Sequence, residues 1–252
     1  MNLLLLIGFP LITALLVLLA RNDRQVRIFA VVGSAIQLIL AFVLLVAVWK
    51  EKAAGNPSAM LFEQRFKFFP SLNIEFHIGV DGISVSMVLL TALVVLAGVL
   101  VSWTVDKMVK EFYLLLILLG WGAYGFFISL DLFVLFFFLE IAVIPKYMLI
   151  GIWGSGKKEY SANKLALMLM GGSALVFVGL LGLYFGMPAD SRTFDMLALS
   201  KHSYTLEEQN VYFPLLFIGF GVFTALFPSI PGFQMVIRRH QQLDRCFSQG
   251  LV

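Results

Sequence analysis

Phe136 to Gly151 reads FFFLEIAVIPKYMLIG. The run is apolar enough for the interior of a lipid bilayer, yet it holds Glu140 and, six residues later, Lys146. The apolar stretch around it extends from 132 to 153, the length that a membrane-crossing helix of about 20 residues requires. Glu140 is then the ninth residue of that helix and sits near the bilayer centre. Insertion of an acidic residue there costs about 2.5–3.5 kcal/mol. Two readings account for such a residue: a protonated structural carboxyl hydrogen-bonded to a neighbouring helix, or a proton or ion relay poised by burial and a nearby cation. Six residues turn a helix by roughly 600° and advance it about 9 Å. Glu140 and Lys146 therefore point about 120° apart and do not form the usual i, i+4 pair. Pro145 loosens the local backbone hydrogen bonding, as suits a helix bent round an internal site. Lys146 reads as a functional cation or as a lysine whose stem snorkels to the surface. Lys164, in YSANKLALMLMGGS at the start of the next helix, is open to the same two readings. Gly171, Gly172 and Ser173 in that segment predict close helix packing.

The rest of the chain fits this setting. Of 252 residues, 60% are hydrophobic and only 13% charged, with a mean hydropathy of +0.94. A soluble domain carries about a quarter charged residues, so the chain reads as an all-α, polytopic transmembrane helical bundle. Seven spans are predicted, at about 2–20, 28–49, 82–104, 112–130, 132–153, 161–186 and 211–228. The first has no basic residues before its apolar run, and Arg21, Arg24 and Arg27 follow it, so it is expected to be a retained helix and not a cleaved signal. Pro10 should kink it mildly. Basic residues after the first, third and fifth spans (Arg21, Arg24, Arg27; Lys107, Lys110; Lys157, Lys158) place those loops inside and the N-terminus outside. The two long loops, 50–80 and 187–210, then lie outside. The first is amphipathic and is expected to lie along the interface or to form short extended structure. Their histidines, His77 and His202, read as ordinary loop residues.

Several chemistries have no support. Gly151 to Lys157, GIWGSGK, matches most of a phosphate-loop pattern, but Lys158 stands where Ser or Thr must hold magnesium, and no strand precedes the glycines. No zinc-type spacing, Ser–His–Asp set or dinucleotide fingerprint appears. The single cysteine, Cys246, supplies neither a disulfide framework nor an iron–sulfur site. No basic stripe with interleaved aromatics suggests nucleic acid. The expectation is a chain with no cofactor and no redox chemistry of its own.

DLFVLFFFLEIAVIPKYMLIGIWGSGKKEYSANKLALMLMGGSAL, with HIGVDGIS and EFYLLLILL upstream, resembles the chain M (subunit 4) family of proton-pumping NADH–quinone oxidoreductase. The likeness runs from residue 1 to about 228. It implies the N-terminal half of an antiporter-like subunit of about fourteen helices, without a redox centre. It also implies that Glu140 is the essential mid-membrane carboxylate of the fifth helix, and that Lys164 matches a recurrent sixth-helix lysine. The partners implied are other membrane subunits of one complex and the lipid bilayer, with quinone and NADH met only through those subunits. The site implied is the inner (cytoplasmic) membrane of a bacterium. A multi-subunit sodium–proton antiporter and a non-transporting membrane scaffold are the rival readings.

The sequence departs from the family in two places. The seventh helix, FPLLFIGFGVFTALFP, has Phe223 where the family usually places a lysine, while Lys146 stands where the family is usually uncharged. The expectation is that Lys146 has taken over the cation's role. After Pro228 the chain reads SIPGFQMVIRRHQQLDRCF in place of a motif like F-H-T-W-x-P-D-x-H-x-x-A-P-T. One permitted back-translation of that tail, preceded by a single T, reads FHTWFPDGHPSAPTAGSMF. A single-base frameshift is therefore expected after Pro228, making 229–252 an aberrant polar tail. Arg238, Arg239, His240 and Cys246 would then have no function.

Overall fold

A computed structural model of the chain describes residues 2–224, apart from Asn56, Pro57, Ala59, Pro70, Ser71, Ser155 and Lys157. The tail expected over 229–252, with its four named residues, lies outside the described residues, as does the end of the seventh predicted span.

The element order is α1 (Leu3–Leu19), α2 (Asp23–Ala53), β1 (Leu61–Phe69), β2 (Ile74–Val80), α3 (Gly82–Val101), α4 (Val109–Ile128), α5 (Leu132–Trp153), α6 (Lys158–Phe185), α7 (Met196–Leu199) and α8 (Leu206–Phe223). Polar side chains cap the starts of several helices. Asn2 accepts from the Leu4 N–H at 3.0 Å, Asp81 from the Ser84 N–H at 2.7 Å, and Thr205 and Glu208 form a reciprocal capping box at α8. Asp23 lies in the first turn of α2 and Lys50 and Lys52 in its last, matching the helix dipole.

Among the described residues, α2, α3 with the short 3-10 turn that follows it, α4, α5 and α6 are long and apolar enough to cross a membrane. Helix α1 is equally apolar but has 17 residues, and α8 has 18 and opens with Glu207 and Glu208. Their outer faces are apolar too: Leu15, Ile39, Phe42, Val94 and Leu167 are all exposed, as lipid-facing residues are.

Two compact units divide the chain: residues 1–145 with 187–203, and 146–186 with 204 onward. The division falls inside α5, between Pro145 and Lys146. In the first unit, α1 to α4 pack round a core that includes Ala14, Val17, Val26, Ala30, Val99 and Tyr113. One end of these helices joins the α1–α2 and α3–α4 connections. There Arg27 donates to Asp106 at 2.9 Å and to the Val105 carbonyl at 3.0 Å, and Lys110 donates to the Leu18 carbonyl. In the second unit α6 packs on α8. A Cβ on Gly172 would lie 2.8 Å from the Val222 Cβ, so this glycine permits the close approach predicted for it, while Gly171 faces open space.

The expected extended structure in loop 50–80 is an antiparallel hairpin of β1 and β2, paired from Leu61–Val80 to Phe69–Ile74 with two register irregularities. Its connection passes through Asn73 at φ 51°, a left-handed conformation that asparagine tolerates.

Candidate functional site

The helix that carries Glu140 starts from a buried anchor. Asp131, 0% exposed, accepts the Phe133 and Val134 N–H groups on Oδ1 at 2.9 and 3.1 Å, capping α5. Its Oδ2 accepts the Glu75 N–H of β2 at 3.2 Å. Backbone bonds extend the joint. Leu130 N–H donates to the His77 carbonyl at 2.8 Å, Leu132 N–H to Phe194 at 2.9 Å, and Met196 N–H to Leu130 at 2.9 Å. Burial pushes the Asp131 carboxyl above the ordinary aspartate range; the Val134, Glu75 and Phe133 N–H bonds oppose this, and the nearby Asp195 carboxylate adds to it.

Next to this joint lies an ionic cluster. His77, also 0% exposed, has Nδ1 at 3.3 Å from Asp195 Oδ1 and Nε2 at 3.3 Å from Glu63 Oε2. Arg65 reaches Asp195 Oδ2 at 3.1 Å and Glu75 at 3.6 Å. His77 is thus the centre of a tie between the hairpin and segment 187–203, and not the ordinary loop histidine its local sequence suggests. Its partner Asp195 is 118 residues away, so no short-range pattern could reveal it. The loops after α2, α4 and α6 therefore meet in one cluster, and those after α1 and α3 meet in another.

Further along α5, Phe138 and Ala142 pack on glycines of α4. A Cβ on Gly125 would fall 2.2 Å from the Phe138 ring, and one on Gly122 would fall 2.9 Å from the Ala142 Cβ. Trp121 meets Phe138 edge-on at 5.4 Å. Glu140 lies two residues from each of these contacts, roughly 200° round the helix, so it is on the side of α5 opposite α4. It is partly exposed, with Oε1 buried.

The two lysines belong to the second unit. Both Lys146 and Lys164 are half-buried. The Tyr147 hydroxyl, on the residue after Lys146, donates to Asn163 Oδ1 at 3.0 Å, on the residue before Lys164. The end of α5 and the start of α6 are thus side by side, and both lysines lie on that pair of helices. Lys158, which breaks the phosphate-loop pattern, has a structural role: its ammonium donates to the Ile152 carbonyl at 2.8 Å, capping the C-terminus of α5. Phe223, at the position of the missing lysine, is the last residue of α8. Among the described residues, no three His, Cys, Asp or Glu side chains gather as metal ligands would.

A family model described as NADH:quinone oxidoreductase/Mrp antiporter, TM, matches residues 129–229, from the joint at the start of α5 to just past α8. The chain is 32% identical over 225 residues to an NAD(P)H-quinone oxidoreductase chain 4-2 of Synechocystis sp., a match that takes in 88% of this chain and 39% of that one. It is 36% identical over 211 residues to a chain 4 2 of Microcystis aeruginosa, covering 82% and 37%. The chain thus spans about two fifths of the length of these relatives. In fold it is similar to a chain of respiratory complex I from Thermus thermophilus with bound NADH, with TM-score 0.77, 23% identity and coverage of 91% and 45%. It is similar also to a chain of the Mrp complex from Dietzia sp., with TM-score 0.74, 18% identity and coverage of 91% and 42%.

Proposed function

We infer the role of this chain from the family it belongs to, the chain M (subunit 4) family of NADH–quinone oxidoreductase: it contributes an antiporter-like half-channel for protons to a multi-subunit membrane complex. The observation that carries this reading is Glu140, a carboxylate near the middle of the apolar helix α5 with one oxygen buried. An ionisable group at that depth marks an ion path, because a purely apolar side chain would insert at far lower cost. Glu140 is the switching group that takes up and releases the proton. Lys146 or Lys164 is the candidate cation that tunes its affinity, since an opposite charge favours the ionised carboxylate. Redox chemistry stays with partner subunits: NADH oxidation and quinone reduction occur there, and this chain holds no cofactor. The complex lies in a bacterial inner membrane with the N-terminus of the chain outside, so the His77 cluster faces outward and the Arg27–Asp106 pair inward.

The test is Glu140→Gln in the assembled complex, with NADH-driven proton uptake into inverted membrane vesicles as readout and assembly checked by native gel. A relay assembles and fails to pump, whereas a scaffold assembles and pumps normally. Lys146→Met examines the second part of the reading; unchanged pumping would exclude Lys146 as the tuning cation. The likeness to the Mrp complex favours one other reading, a subunit of a multi-subunit sodium–proton antiporter. Quinone-site inhibitors separate the two, since they abolish transport only where quinone reduction drives it.

A further inference from the structure

Pro10 lacks an N–H, so the Leu6 carbonyl of α1 has no i+4 partner within its own helix. Gln37 of α2 supplies one: its Nε2 donates to the Leu6 carbonyl at 2.9 Å. This bond fixes the orientation of the amide, because only the NH2 end can donate to a carbonyl. The other end, Oε1, is buried and has no hydrogen-bond partner among the described residues, and the same holds for the hydroxyl of Tyr124 on α4. Gln37 is 3% exposed and Tyr124 is 1% exposed. Leaving a buried polar atom unmatched costs about 1–3 kcal/mol, and both atoms belong to residues that line one cavity.

That cavity lies among α1 to α4 and is lined chiefly by Thr13, Gly33, Ser34, Gln37, Ile117 and Tyr124. It gives about 20 Å³ of room to the centres of water molecules, where one water needs roughly 10–15 Å³ on this measure. Its polar groups are complementary. Tyr124 offers a donor and Gln37 an acceptor. The Thr13 and Ser34 hydroxyls donate to the Phe9 and Ala30 carbonyls at 3.2 and 2.8 Å, which leaves their lone pairs to accept. A buried water makes two to four such bonds. None of Glu140, Lys146 and Lys164 lines this cavity.

We propose that the cavity is a water-binding site at membrane depth, where one held water accepts from Tyr124 and donates to Gln37 and to a hydroxyl of Thr13 or Ser34. The water completes a repair that Pro10 makes necessary, linking α1, α2 and α4 through a polar centre separate from the ion path.

Hydroxyl-radical footprinting of the full chain in lipid nanodiscs tests this, because a held water is split by X-rays and oxidises the side chains beside it. Tyr113 is the internal control: it is on the same helix, 0% exposed, with its hydroxyl already bonded to the Ser102 carbonyl at 3.0 Å. The result expected is that Tyr124 is oxidised several-fold faster than Tyr113. Equal protection of the two tyrosines would overturn the proposal.

Discussion

Replacing Asp131 tests how the start of α5 is held. In Asp131→Ala three N–H groups, one buried and two partly buried, lose their acceptor: Val134 and Phe133 at the helix terminus, and Glu75 on β2. Loss of the helix cap costs about 0.5–2 kcal/mol, and the stranded Glu75 donor adds roughly 1–3 kcal/mol. Removing a buried carboxylate returns part of this, leaving a net loss of about 2–3 kcal/mol. Asp131→Asn keeps one acceptor oxygen for the cap but turns an NH2 toward the Glu75 N–H, so a loss of about 1 kcal/mol is expected. The pH dependence has a definite sign. The folded carboxyl binds its proton more tightly than an ordinary aspartate, because burial raises it above 3.8. Its contribution is therefore full below the unfolded value and declines as pH rises through the raised folded value. The stability of wild type relative to Asp131→Asn should fall over that window and level off above it. Urea unfolding of the full chain in nanodiscs measures the difference, and hydrogen exchange at residues 75, 133 and 134 locates it. An alanine variant within about 0.5 kcal/mol of wild type, a span typical of substitutions away from such features, would refute the anchoring role, and a wild-type advantage that grows with pH would refute the dominance of burial over the three N–H bonds.

Gly125→Ala places a Cβ 2.2 Å from the Phe138 ring. Overpacking of this kind costs about 1–3 kcal/mol, read as a lowered midpoint in the same unfolding assay, and Gly171→Ala, facing open space, should cost far less. Gln37→Leu strands the Leu6 carbonyl and should destabilise by about 1–3 kcal/mol. Adding Pro10→Ala restores a backbone donor to Leu6, so the double variant should recover much of that loss; strict additivity would dismiss the repair. Lys158→Met removes the cap on Ile152 and should speed hydrogen exchange in the last turn of α5 while leaving its middle unchanged.

The membrane helices were legible because hydropathy is a local property: a run of about 20 apolar residues is visible without knowing its neighbours. Glu140 stood out for the same reason, as a local exception. The hairpin was harder. Its connecting residues carry no Asn-Gly or Asp-Gly turn signal, and its two register irregularities break the alternation that would mark a strand. The ionic cluster could not be read at all. Glu63, His77, Asp131 and Asp195 come from three loops, and each is unremarkable in its own segment. The Gln37–Leu6 bond is similar: Pro10 announced a kink, but nothing near it said which helix would meet the freed carbonyl. Lys158 was visible as a loop charge and as the residue that spoiled a motif, but not as a cap, because the cap requires the geometry of the α5–α6 turn.

Pro10 also bears on how the chain enters a bilayer. A carbonyl without a donor is tolerable in water but costs several kcal/mol in hydrocarbon. Helix α1 alone carries that burden at Leu6, and only the arrival of α2, 31 residues along the chain, discharges it through Gln37. The two helices are therefore best suited to leaving the translocation machinery together, as a helical pair. On this account the pairing of these two helices is written into one proline and one glutamine.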